Sequence, residues 1–94
     1  MKFKSDRAAK MAMTKAERFY VEAKHAAVCA YGDARANPEL GSPLDYQEKK
    51  RIEADLAWEK AHEVYQAARA QGFWVKSWYF GSNPTRDLIL NNMD

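Results

Sequence analysis

Alanine recurs at helical steps along two stretches of this chain, and no other feature limits the fold as much. Ala16, Tyr20, Ala23, Ala27, Ala30 and Ala34 follow alternating steps of four and three. Ala54, Ala57, Ala61, Val64 and Ala68 do the same beyond a Pro/Gly break. Steps of this kind collect small side chains into one stripe along each helix. Two such stripes pack closely when the helices lie side by side. The reading is an all-α fold, a long antiparallel alanine-rich helical hairpin, with little room in its seam for an active site.

The ends of the elements are marked by capping chemistry. Two starts fit the first helix. Ser5 with Asp6, followed by Ala8, Ala9 and Ala12, offers a serine cap and good helix formers. Thr14-Lys15-Ala16-Glu17 offers a capping box, in which hydroxyl and carboxylate each satisfy the other residue's amide. Residues 1–13 are then either a basic lead-in or an extra turn or two of helix. Asn37-Pro38 ends the helix, because proline disfavours the helical state of the residue before it. Gly32, inside helix 1, reads as a close approach of helix 2 or an early stop. Ser42-Pro43 restarts helix, with Asp45 placed favourably in the first turn. Asp45–Lys49 and Arg51–Asp55 have the spacing of helix-surface ion pairs. Gly72 is the expected stop.

The expected organisation is one domain over residues 1–94. Helix 1 covers about 5–36, helix 2 about 43–71, an aromatic connector 73–82, and a short helix about 84–91 that starts at Asn83-Pro84. The short loop makes the long helices antiparallel. Pairing about a centre near residue 40 sets Ala23 and Ala27 opposite Ala57 and Ala54, with Phe19, Trp58 and Tyr65 flanking the seam.

Composition excludes several classes. A single cysteine, Cys29, rules out an internal disulfide and fits a reducing compartment. No apolar run has the length of a membrane span, and the charged start MKFKSDRAAK is no signal peptide. Beginning at Met, the chain is expected to be a complete, small cytoplasmic protein. A net charge of +2 is too mild to imply nucleic acid by itself.

Two pairs invite a chemical reading and neither sustains it. Glu59 and His62 have the Glu-x-x-His spacing of di-iron bundles, with Glu17 or Glu22 as a further ligand, but Glu59 faces away from the seam. His25 and Cys29 lie one helical turn apart, half of a zinc site, while the only other histidine, His62, falls well along the axis. No phosphate loop, catalytic triad or Cys-x-x-Cys pair is present. The expectation is a protein that is not an enzyme and carries no metal or cofactor.

The strongest functional signal is Phe73-Trp74-Val75-Lys76-Ser77-Trp78-Tyr79-Phe80, in which five of eight residues are aromatic. Extended, it presents Trp74, Lys76, Trp78 and Phe80 on one face, expected to be exposed, and Phe73, Val75, Ser77 and Tyr79 on the other. Ile52 and Leu56 point away from the seam and need a cover, either this segment folding back or a second chain. The expected partner-binding residues are Trp74, Lys76, Trp78, Tyr79, Phe80 and Arg86, because Trp and Tyr concentrate at binding hot spots. Lys2, Lys4, Arg7, Lys10 and Lys15 would steer an acidic partner. In length, alanine and tryptophan content and lack of chemistry the chain resembles small accessory proteins of bacteriophages and mobile elements. That resemblance implies a non-catalytic binder that inhibits or redirects a host enzyme or defence complex, such as a nuclease. Two other readings stand beside it. One is a nucleic-acid binder using the basic N-terminus and stacked tail aromatics; the other is a structural homodimer burying Ile52 and Leu56. No membrane partner is expected, because the polar faces carry mixed charge.

Overall fold

The computed structural model describes residues 1–81. The short helix expected at 84–91 lies outside the described residues, as do Arg86 and the end of the aromatic connector. Helix α1 spans Asp6–Ala36 and helix α2 spans Pro43–Ala70, joined through a single 3₁₀ turn at Pro38–Leu40. They form the close antiparallel hairpin that the alanine steps require.

Ser5 is the start of α1. Its backbone is extended and its hydroxyl accepts from the Ala8 amide at 3.1 Å. The Thr14 box is internal: the Thr14 hydroxyl donates back to the Lys10 carbonyl at 3.0 Å, and helix runs through it. At the other end Asn37 folds both its backbone and side-chain N–H groups onto the Asp33 carbonyl, at 2.9 and 3.2 Å. Gly32 is neither a stop nor a close approach. Helix continues past it, and a Cβ there would meet nothing within 4 Å.

Ser42 occupies the N-cap of α2, but its side chain makes no capping bond. Pro43, at the first helical position, removes one orphan donor by lacking an N–H. Of the two ion pairs read from the sequence, Arg51–Asp55 forms at 2.8 Å, and Arg51 also reaches Glu48 at 2.6 Å. Asp45–Lys49 does not pair among the described residues. Hydrogen bonding to Arg51 holds the exposed Glu48 carboxyl below its ordinary proton affinity. Its small contribution to stability is therefore complete above the usual carboxylate range and lost as pH falls through Glu48's lowered value.

Of the residues the steps select, Ala30, Ala34, Ala54, Ala57, Ala61, Val64 and Ala68 are buried, while Ala16, Tyr20, Ala23 and Ala27 are half-buried. The seam also extends further than expected, because Ala9 and Met13 are buried in the same line. Helix α2 ends in a Schellman reversal. Gly72 takes φ +83°, its amide donates to the Arg69 carbonyl at 3.1 Å, and the Phe73 amide donates to the Ala68 carbonyl at 2.9 Å. This turn sends the following segment back along the hairpin. There Val75 and Phe80 join Ala9, Met13, Ala61, Val64 and Ala68 in one core. The first residues are held at the same end. Gln71 accepts from the Phe3 amide at 2.8 Å and donates to the Met1 carbonyl at 2.6 Å, while Phe3 meets Phe73 edge to face. Residues 1–5 are thus a tethered arm, not a loose lead-in.

The two glycines test opposite effects. Gly32→Ala removes helix-interior backbone freedom with no steric cost and is expected to stabilise by about 1 kcal/mol. Gly72→Ala forces an L side chain into the left-handed region and is expected to destabilise by about 1–2 kcal/mol. Urea unfolding followed by circular dichroism measures both.

Candidate partner-binding surface

The aromatic segment is positioned by one carboxylate. The Ser77 hydroxyl, in a residue only 6% exposed, donates to Glu17 Oε1 on α1, and the Trp78 amide donates to the same oxygen at 3.1 Å. Ser77 Oγ in turn accepts from the Tyr79 and Phe80 amides at 3.1 and 3.0 Å. A serine that accepts from amides two and three residues on bends the chain. Up to Ser77 the segment alternates as an extended chain does: Trp74 and Lys76 are exposed, Val75 and Ser77 buried. After Ser77 the alternation breaks.

That bend corrects the expected exposed face. Phe80 turns inward, is 8% exposed, and packs on Trp58 (centroids 4.5 Å), His62 (4.9 Å) and Tyr65 (5.8 Å). Tyr79 is half-buried against Tyr20 (5.2 Å) and Trp58 (5.7 Å), and Tyr20 meets Trp58 at 5.1 Å. These edge-on and tilted contacts each add about 0.5–1.5 kcal/mol beyond simple burial. Phe80 and much of Tyr79 therefore belong to the core. Beyond them, Gly81 adopts φ +73°, and a Cβ there would run into the Tyr65 hydroxyl.

The segment does not cover Ile52 and Leu56, which are 48% and 59% exposed. It packs on the helix face carrying Trp58, His62 and Tyr65. Leu56 lies two residues before Trp58, about 200° around the helix at 100° per residue, and so faces the other way.

Trp74 and Trp78 remain outside, 66% and 44% exposed. Trp74 is stacked by the Arg69 guanidinium at 4.1 Å from its ring centre, and Arg69 also lies 5.7 Å from the Tyr65 ring. Arg69, which the sequence pattern did not mark, thus supplies the cation beside the first indole and joins Lys76 as a basic residue of this surface. Lys76, between the two indoles in sequence, is also exposed. The five N-terminal cations are all exposed, in different settings. Lys2 and Lys4 flank Phe3 and lie beside the start of the aromatic segment. Lys10 is paired with Asp6 at 2.8 Å, and Arg7, Lys10 and Lys15 line a separate cleft along α1.

One of the two pairs with chemical spacing reaches the aromatic segment, through His62. His62 is stacked on Phe80, and His25 Nε2 lies 3.9 Å from Cys29 Sγ. Among the described residues no three His, Cys, Asp or Glu side chains converge, and no helix is long and apolar enough to cross a membrane. Comparison with protein-family models, curated proteins and solved structures finds no match to this chain.

Glu17, read from the sequence as a cap or a metal ligand, is the anchor of the aromatic segment. Glu17→Ala removes the oxygen shared by the Ser77 hydroxyl and the Trp78 amide and is expected to cost about 1–3 kcal/mol. Amide exchange is expected to quicken at Trp78, Tyr79 and Phe80 while the α1–α2 helicity persists.

Proposed function

We propose that this chain is a non-catalytic protein-binding module whose contact surface is centred on Trp74, Lys76 and Trp78, with Arg69 behind the first indole. One observation carries the reading. Two tryptophans are left in solvent on a segment that the fold holds in place through Glu17 and Ser77. Had burial been their purpose, the segment would present them to the hairpin as it presents Val75 and Phe80. Trp and Arg are the residues that dominate binding hot spots. A segment already ordered in the free protein loses less entropy on association.

The partner in this reading is a protein, and the mode of action is occlusion of the surface it occupies. Small size, the lack of any three His, Cys, Asp or Glu side chains grouped to hold a metal ion among the described residues, and a surface built from anchors support an accessory protein of the phage or mobile-element type. Such a protein would block a host enzyme or defence complex in the cytoplasm. The exposed Lys2 and Lys4 beside the segment favour a target with an acidic rim.

Affinity capture from nuclease-treated host lysate tests this reading against a Trp74→Ala/Trp78→Ala variant with the same circular dichroism spectrum. The wild-type protein is expected to retain one stoichiometric protein. The variant is expected to lose it by a factor of about 30 or more in affinity, the scale of one strong hot spot. Undiminished capture by the variant overturns the reading. So does an empty lane that fills with nucleic acid, bound with a steep salt dependence, once nuclease is omitted.

A further inference from the structure

The hairpin has a second open face, opposite the aromatic segment. Two clefts run along it, of about 560 and 420 Å³, and they share Phe19 and Lys60. Their floor is alanine from both helices: Ala16, Ala23 and Ala26 from α1 and Ala57 from α2. Phe19 and Leu56 stand up from it, 62% and 59% exposed. From Ala12 to Ala26 the groove runs about 21 Å at 1.5 Å per residue, the length of a helix of four turns. A shallow trough between two helices, floored by small residues and ridged by apolar ones, accepts an amphipathic helix through side chains at i, i+3, i+4 and i+7.

Charge selects the kind of helix. Lys15 and Arg18 stand on the α1 rim and Lys60 on the α2 rim, and none of the three makes an ion pair among the described residues. The acidic groups are fewer. Glu53 is committed to Lys50 at 3.1 Å, leaving Glu22. The adjoining cleft on α1 continues the positive rim with Arg7, while Lys10 there is paired with Asp6. A second copy of this chain would bring Lys15, Arg18 and Lys60 against their own likes, and like charges across an interface are costly. A polyanion such as nucleic acid would answer the rim but leave the alanine floor, Phe19 and Leu56 without an apolar partner.

We infer that this face is a second docking site, for an acidic amphipathic helix of a protein partner. The apolar stripe of that helix lies on the alanine floor against Phe19 and Leu56, and its carboxylates meet Lys15 and Arg18 on one side and Lys60 on the other. The site is independent of the indole surface, so one molecule is able to hold two partner segments on opposite faces.

The test uses the full chain and a helix-stabilised synthetic peptide of about 16 residues, with leucine at i, i+3, i+4 and i+7 spacing and glutamate on its flanks. Its controls are the same peptide with lysine for glutamate and a single-stranded oligonucleotide. Isothermal titration is expected to show one-to-one binding of the acidic peptide. Lys15→Glu/Arg18→Glu/Lys60→Glu should weaken it roughly tenfold or more. Phe19→Ala, at an exposed position outside the core, should weaken it without loss of helicity. The Trp74→Ala/Trp78→Ala variant should bind it as the wild type does, which separates this site from the surface proposed above. Three results overturn the inference: equal binding of the lysine peptide, displacement of the acidic peptide by the oligonucleotide alone, or a protein dimer that dissociates on Phe19→Asp.

Discussion

The structure depends on the smallness of its seam. Alanine on both facing stripes brings α1 and α2 close enough for backbone-to-backbone packing, but each alanine buries little apolar surface. A seam of this kind sets geometry well and stabilises weakly. Apart from Met13, near the open end, the larger apolar groups stand to the two sides of the seam. On one side Tyr20, Trp58 and Tyr65 meet the returning segment and make a core with Val75 and Phe80. On the other side Phe19 and Leu56 receive no cover among the described residues. The same constraint therefore produces both the aromatic core and the open groove.

Holding the returning segment is a polar task. A chain laid across helices has no ladder of its own, so its amides need partners. Glu17 and Ser77 supply them, and the bend they impose decides which rings go in. Because that bend comes after Trp74, Lys76 and at Trp78, these three stay outside while Phe80 goes under. The ordering of the exposed indoles and the filling of the core are consequences of one hydrogen-bonded turn.

The helices were legible in the sequence because periodicity and caps are local. Ser5, Asn37-Pro38, Pro43 and Gly72 mark boundaries within a residue of those observed. Ala9 and Met13 continue the step pattern upstream of Ala16, but the capping box at Thr14 made that stretch look like a rival start. What stayed hidden were contacts between residues sixty or more apart: Glu17 with Ser77 and Trp78, and Gln71 with Met1 and Phe3. Alternation predicted Trp74 and Lys76 outside and Val75 inside, and it failed at Phe80 because a serine turn does not announce itself in hydropathy. The direction of the returning segment is hidden for a similar reason. Ile52 and Leu56 looked like the surface most in need of cover, whereas the Schellman turn at Gly72 aims the chain at the opposite face of α2.

The Gln71 clasp has a mechanical meaning. The hairpin is closed covalently at Pro38–Leu40, and at its open end Gln71 ties the Met1–Phe3 arm to the end of α2. A load applied between Met1 and the end of α2 meets those two hydrogen bonds and the Phe3–Phe73 contact first, then the core around Ala9 and Met13 and the Glu17 anchor, and only then the alanine pairs beyond them. Such a molecule opens as a zipper, peeled from one end, and does not resist as a sheared bundle would. Whatever is attached through the N-terminus pulls on the same clasp that orients the start of the indole-bearing segment.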